Sequence, residues 1–203
     1  MKLIIIAGMP ASGKSTAARA LGERFGMPVL EKDELKEALF DTLGFKNYGE
    51  KRALDTAACA VLLKAADALL SAGSSLIMVN NFREDMTEAL RSLLEKHPCP
   101  AVLVFFKGDA DVFYERYAER DRLHLRHPGH ELQDRFPPRE GDPTGYVLTR
   151  EEFSDKFEKL GMDSLNVDIP RIDVEATYPK RIDMDGLAEK ILEMLGEAPG
   201  GER

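Results

Sequence analysis

The chain has 203 residues, enough for one domain with a substantial core, and its 43% hydrophobic and 32% charged residues are the balance of a folded chain, not a disordered one. A net charge of −8 disfavours a broad nucleic-acid-binding face, which rests on Lys and Arg neutralising phosphates, while leaving room for one local basic site. No apolar run approaches the roughly 20 residues of a membrane span. The first apolar run is too short for a secretion signal, and Cys59 and Cys99 have neither disulfide nor zinc spacing, so the cytoplasm is the expected compartment.

The first predicted strand is "KLIIIA" (2–7), apolar throughout as in a parallel sheet buried on both faces. It runs into "GMPASGKST" (8–16) and then a helical pattern over 14–25. A glycine, four residues and Gly-Lys-Ser between a strand and a helix is the phosphate-cradling P-loop. Gly8 and Gly13 allow the turn that aims backbone N–H groups, including those of Ala11 and Ser12, at phosphates beside a helix N-terminus. Lys14 supplies a cation for the β- and γ-phosphates, Ser15 a hydroxyl ligand for Mg²⁺, and Thr16 a contact to the α-phosphate. The expected ligand is ATP with Mg²⁺.

The second predicted strand, "MPVLE" (27–31), leads into "KDELK" and a helical stretch over 33–42. Asp33 at the strand end and Lys36 one turn later would share a helix face. A kinase needs such a carboxylate to accept the proton of an attacking hydroxyl, and a cation beside it. Asp is also a favoured helix N-cap, which is the competing reading of Asp33.

A helical pattern over 50–72 precedes the third strand, "SLIMV" (75–79). That strand ends in Asn80 and Asn81, where many ATP-hydrolysing motors carry a metal-binding acid. The pair reads either as turn chemistry or as hydrogen bonding to an acceptor. Helix over 84–96, strand "AVLVFF" (101–106) and helix over 109–126 follow.

The last of these helices ends in the densest basic stretch, "YERYAERDRLHLRHPGH". Arg116 and Arg120 would share one helix face, Arg122 and Arg126 another; alternating Glu and Asp make a solvated face the competing reading. Pro128-Gly129 breaks any helix that would align His124, His127 and His130 on a metal, so the segment reads as a hinge. From His127 to Arg150, four of the eleven prolines mark a long loop insertion over the sheet edge, a candidate lid. A fifth strand (170–176) and a helix over 183–195 complete the alternation, and the tail is expected to fray.

This rhythm implies one α/β domain over 1–203 with a mainly parallel five-stranded sheet, helices on both faces and a lid insertion at about 116–150. The P-loop, the strand-end "KDE.K" about twenty residues on, and more loosely the 116–130 stretch resemble the small P-loop kinases of the polynucleotide kinase, zeta toxin and chloramphenicol phosphotransferase-like group. Shikimate and gluconate kinases share the same broad plan. The resemblance implies a three-layer P-loop fold and a phosphotransferase with Asp33 as general base; Lys36 stands where that group carries Arg, a point charge in place of a fork. It further implies that Arg116 or Arg120 packs on adenine with residues 177–180 nearby, and that Arg122 or Arg126 clamps the transferring phosphoryl group. The expected acceptor is a small hydroxyl compound: a nucleoside, sugar, antibiotic or nucleotide sugar. A 5′-hydroxyl polynucleotide is the runner-up, and a nucleotide-responsive binding protein the alternative from another class.

Overall fold

The computed structural model describes residues 1–131, 134–142, 147–161 and 165–197. Its sheet contains β1 (Leu3–Gly8), β2 (Val29–Glu31), β3 (Leu76–Val79), β4 (Ala101–Lys107) and β5 (Arg171–Glu175), in the order β2-β3-β1-β4-β5. Every pairing is parallel, with Ile4 opposite Ile77 on one side and Val102 on the other. The helices are α1 (Lys14–Phe25), α2 (Lys32–Leu43), α3 (Tyr48–Ser71), α4 (Thr87–Lys96), α5 (Ala110–Arg122), α6 (Pro128–Glu131), α7 (Arg150–Lys159) and α8 (Met184–Met194).

The continuous apolar strands are apolar because both faces are covered. Ile4 and Ile6 of β1 pack with α1, α5, α7 and α8, through Leu21, Phe113, Phe153 and Ile191. Leu3, Ile5 and Ala7 face the opposite layer, built on Leu62 and Leu70 of α3 and Leu90 of α4. Each fully buried Leu, Ile or Phe contributes about 1.5–3 kcal/mol, so the central strands anchor both layers. This is the three-layer P-loop fold. The chain leaves β1 for β2 on one side, while β3 returns across β1 to β4 on the other. A crevice opens where the order reverses, beyond the carboxyl ends of β1 and β3.

Two expectations are corrected. The helix predicted over 109–126 ends at Arg122, because Leu123 caps it and His124 turns left-handed at φ 50°. Arg126 therefore lies off the helix and shares no helix face with Arg122. The 127–150 segment, expected as a loop over the sheet edge, contains α6 and docks on the α2–α3 connection. Phe136 and Phe45 exchange backbone hydrogen bonds of 2.8 and 2.9 Å, and their rings join Phe40 and His127. Gly129 lies flush on this cluster, since a Cβ there would stand 2.4 Å from the Phe40 ring. Residues 132–133 and 143–146 of that segment, and the tail from 198 onward, lie outside the described residues.

No helix was expected at α7. Its start is a capping box, with Thr149 Oγ1 accepting from the Glu152 N–H at 3.2 Å and Glu152 accepting from the Thr149 N–H at 2.8 Å. Phe153 and Phe157, one turn apart, stack edge-on at 4.6 Å, and Phe153 also meets Tyr114 and Tyr117. Phe153 is fully buried. Phe153→Ala should therefore lower the unfolding free energy by about 3–5 kcal/mol, read as a reduced urea midpoint at an unchanged slope.

Candidate active site

Gly8 closes β1 at φ 127°, and a Cβ there would stand 2.1 Å from the Phe106 carbonyl oxygen. Only glycine lets the chain turn off the sheet this close to β4. Gly13, at φ 91°, opens α1 with no capping side chain and no acidic residue in the first turn. By contrast α3, α5, α7 and α8 are capped by Asn47, Asp109, Thr149 and Asp183. The first N–H groups of α1 are thus left for an anion. Ala11, Gly13, Lys14, Ser15 and Thr16 line a cleft of about 760 Å³, while Ser12 is buried beneath the loop with no hydrogen-bond partner for its hydroxyl among the described residues. Lys14 Nζ donates to the Met9 carbonyl at 2.6 Å, and burial lowers its pKa to about 7.

A carboxylate stands at the end of β2 and not after β3. Glu31, buried at its strand end, accepts from the Ser15 hydroxyl, and Arg19 of α1 holds its other oxygen at 3.2 Å while reaching Glu34 at 3.0 Å. Burial raises the Glu31 pKa against these two partners. The "EKD" spacing was the available signal, two carboxylates flanking one residue at a strand tip. Asn80, in contrast, is used locally: its side chain donates to Met86 Sδ at 3.1 Å and accepts from the Asn81 N–H at 2.8 Å.

Asp33 is not the N-cap of α2. That position is Glu31, and Asp33 falls inside the first turn. It lines the cleft with 45% of its side chain accessible and pairs with Lys32 at 2.9 Å. Burial opposes its charge, but Lys32, Lys36 and His130 prevail and hold the pKa well below the carboxylate range. Its field reaches Lys14 and Arg120 as well. Lys36 turns to Asp55 of α3, which also takes Lys32 and Arg83; the three contacts measure 2.9, 2.9 and 3.2 Å. Asp55 lies 19, 23 and 28 residues from Lys36, Lys32 and Arg83, which sit on other elements, beyond any local sequence signal.

The four arginines part company. Arg116 donates to the Ala176 carbonyl at 3.1 Å and to that of Thr177, which fixes the loop after β5; Pro179 of this loop lies against Gly13. Arg120 lines the cleft, with its buried Nε unpartnered among the described residues. Arg126 lines it too, held by buried Asp121 at 3.0 Å and stacked 4.9 Å from the Tyr117 ring centre. Arg122 is exposed beside Glu115, outside the cleft lining. The histidines each meet a different carboxylate: His124 with Glu131, His127 with Asp41, His130 with Glu37. Among the described residues no His, Cys, Asp and Glu cluster is placed to hold a metal ion, and no helix is long and apolar enough to cross a membrane.

Loop, strand-end carboxylates and flanking arginines on one crevice define a nucleotide-binding P-loop protein. Residues 3–134 match the profile of a family described as an AAA domain, and the chain belongs to that family. A crystal structure of a suspected kinase from Chloroflexus aurantiacus superimposes with a TM-score of 0.79 at 31% identity, covering 96% of this chain and 98% of that one. The gluconokinase of Sinorhizobium meliloti shares the fold, with a TM-score of 0.55 at 18% identity over 96% and 91% of the two chains. Shikimate kinase of Ruegeria pomeroyi is 30% identical over 125 residues, 59% of this chain and 58% of that protein. The chain thus spans somewhat over half the length of the curated relatives it matches.

Lys14 offers a direct check on the loop. With a pKa of about 7 it is half-protonated near neutrality, and a bound phosphate restores its full charge. Nucleotide binding at pH 7 should therefore take up roughly half a proton, and affinity should fall as pH rises above 7. Calorimetry in two buffers of different ionisation enthalpy reads the uptake.

Proposed function

We propose that the protein is an ATP-dependent kinase that moves the γ-phosphoryl group onto a hydroxyl of a small-molecule acceptor. The observation that carries this reading is Asp33, a carboxylate kept ionised at the cleft surface within the field of Lys14 and Arg120. The acceptor oxygen forms a bond to the γ-phosphorus as the bond from that phosphorus to the β,γ-bridging oxygen breaks. ADP leaves with the electron pair, and the hydroxyl proton passes to Asp33. A low pKa suits a loose transition state, in which the proton leaves late and the carboxylate chiefly orients the hydroxyl. Arg120, with an unpartnered buried Nε, meets the transferring phosphoryl group, and Arg116 stiffens the loop beside adenine.

The donors fit Mg²⁺: the Ser15 hydroxyl and the Glu31 carboxylate are both hard oxygens, already adjacent. Ser15 would hold the ion directly and Glu31 through water, with Arg19 orienting the carboxylate. When bound, Mg²⁺ neutralises charge on the β- and γ-phosphates. A small acceptor is favoured over a polynucleotide because the chain carries −8 overall while its cleft gathers Lys32, Lys36, Lys51, Arg83, Arg126 and Lys156. That is local charge, not an extended basic track.

Asp33→Asn should keep nucleotide affinity and cut transfer at least ~10²-fold, measured with labelled ATP and a metabolite extract beside a parallel oligonucleotide reaction. Wild-type turnover in that variant, or saturable labelling of the oligonucleotide alone, overturns the respective assignment. Glu31→Gln should raise the Mg²⁺ concentration needed for half-maximal nucleotide binding.

A further inference from the structure

The strand register brings three chain segments level with one another. β3 lies between β1 and β2, with Val79 opposite Ile6 on one side and Glu31 on the other. Two residues past these paired positions stand Gly8, where the phosphate loop begins, Asn81 and Asp33. Asn81 thus leaves the middle strand between the loop and the carboxylate, in a sheet whose neighbouring strands run about 4.8 Å apart. Both Asn81 and Asp33 line the cleft. The turn that carries Asn81 is fixed by its neighbours. The Asn80 N–H donates to the Ile6 carbonyl at 3.2 Å, while the Asn80 side chain accepts from the Asn81 N–H and donates to Met86 Sδ. Arg83 is tied to Asp55 and Asp85. Phe82 is fully buried at φ 48°, a left-handed conformation that a bulky residue holds only where its surroundings impose it. Within residues 80–83, Asn81 alone has a polar side chain with no hydrogen-bond partner among the described residues.

We propose that Asn81 binds a hydroxyl adjacent to the one that Asp33 orients, and so selects polyhydroxy acceptors. Its side-chain amide both donates and accepts, as a hydroxyl does, whereas a phosphate or carboxylate would use only its donors. An acceptor lying across the tips of β2 and β3 meets Asp33 and Asn81 together, one hydroxyl to each. The word acceptor rests on the kinase reading; the hydroxyl contact does not.

The test fills the nucleotide site with a non-hydrolysable ATP analogue and Mg²⁺, then titrates D-ribose, D-glucose, myo-inositol and D-glucuronate. Cyclohexanol and lactate, with a single hydroxyl each, run in parallel. NMR of isotope-labelled protein reads the Asn81 side-chain amide, assigned by its loss in Asn81→Ala. At least one polyhydroxy compound should bind saturably and shift that resonance, and the single-hydroxyl compounds should bind at least roughly tenfold more weakly. Asn81→Ala should weaken the polyhydroxy compound at least roughly tenfold, to the level of the single-hydroxyl ones, and leave the affinity for the analogue unchanged. A merely structural role would weaken every compound alike. No saturable binding of any polyhydroxy compound, single-hydroxyl compounds binding as tightly, an unshifted Asn81 amide, or loss of the analogue in Asn81→Ala overturns the assignment. A compound held by Asn81 but never phosphorylated from ATP counts against the kinase alone. Transfer to an acceptor whose KM is unchanged in Asn81→Ala counts against Asn81 alone.

Discussion

The site depends on the three-way pairing of Asp55 with Lys32, Lys36 and Arg83. A carboxylate this enclosed is tolerable only with cations beside it, and three cations from the start of α2 and the segment after β3 converge on it. The pairing locks α2 against α3 and fixes where the β2 end delivers its next residues. It also divides the attention of Lys32, which touches Asp33 and Asp55 at the same 2.9 Å. Asp33 is therefore kept charged without being sequestered, and its outer face stays on the cleft.

Sheet and phosphate loop were legible because their signals are local. Runs such as "LIIIA" and "VLVFF" must be covered on both faces, and "GMPASGKS" leaves few alternatives between a strand and a helix. That Asp33 lines the cleft was legible from its place two residues past the end of β2. Glu31 was overlooked because the acid was sought after β3, where Asn80 and Asn81 stand; the partner of Ser15 comes instead from the neighbouring strand tip. The α7 helix carried a readable signature in Thr149, Glu152, Phe153 and Phe157, hidden by the proline-rich segment before it. Asp55 could not be found, since it matters through partners on other elements. The sorting of Arg116, Arg120, Arg122 and Arg126 was likewise out of reach, because it turns on α5 stopping at Arg122.

Charge is distributed against the average. The chain is acidic, yet lysines and arginines concentrate in the crevice. Such an arrangement focuses the field into the cleft and draws small anions inward, while the outer surface repels large polyanions. Burial first, and neighbouring cations after it, lower the pKa of Lys14 and Lys51 to about 7.

The α7 helix joins the body through the Phe153 ring on Tyr114 and Tyr117, with Phe157 stacked on Phe153, and through Arg150 paired with Asp111 of α5. One wall of the crevice is thus an attachable part. Its two exposed lysines at the cleft, Lys156 and Lys159, can be exchanged for other side chains while the aromatic anchor and the phosphate loop stay as they are. The cleft-facing turn of α7 can thus vary in sequence without disturbing the aromatic anchor or the loop from Gly8 to Thr16.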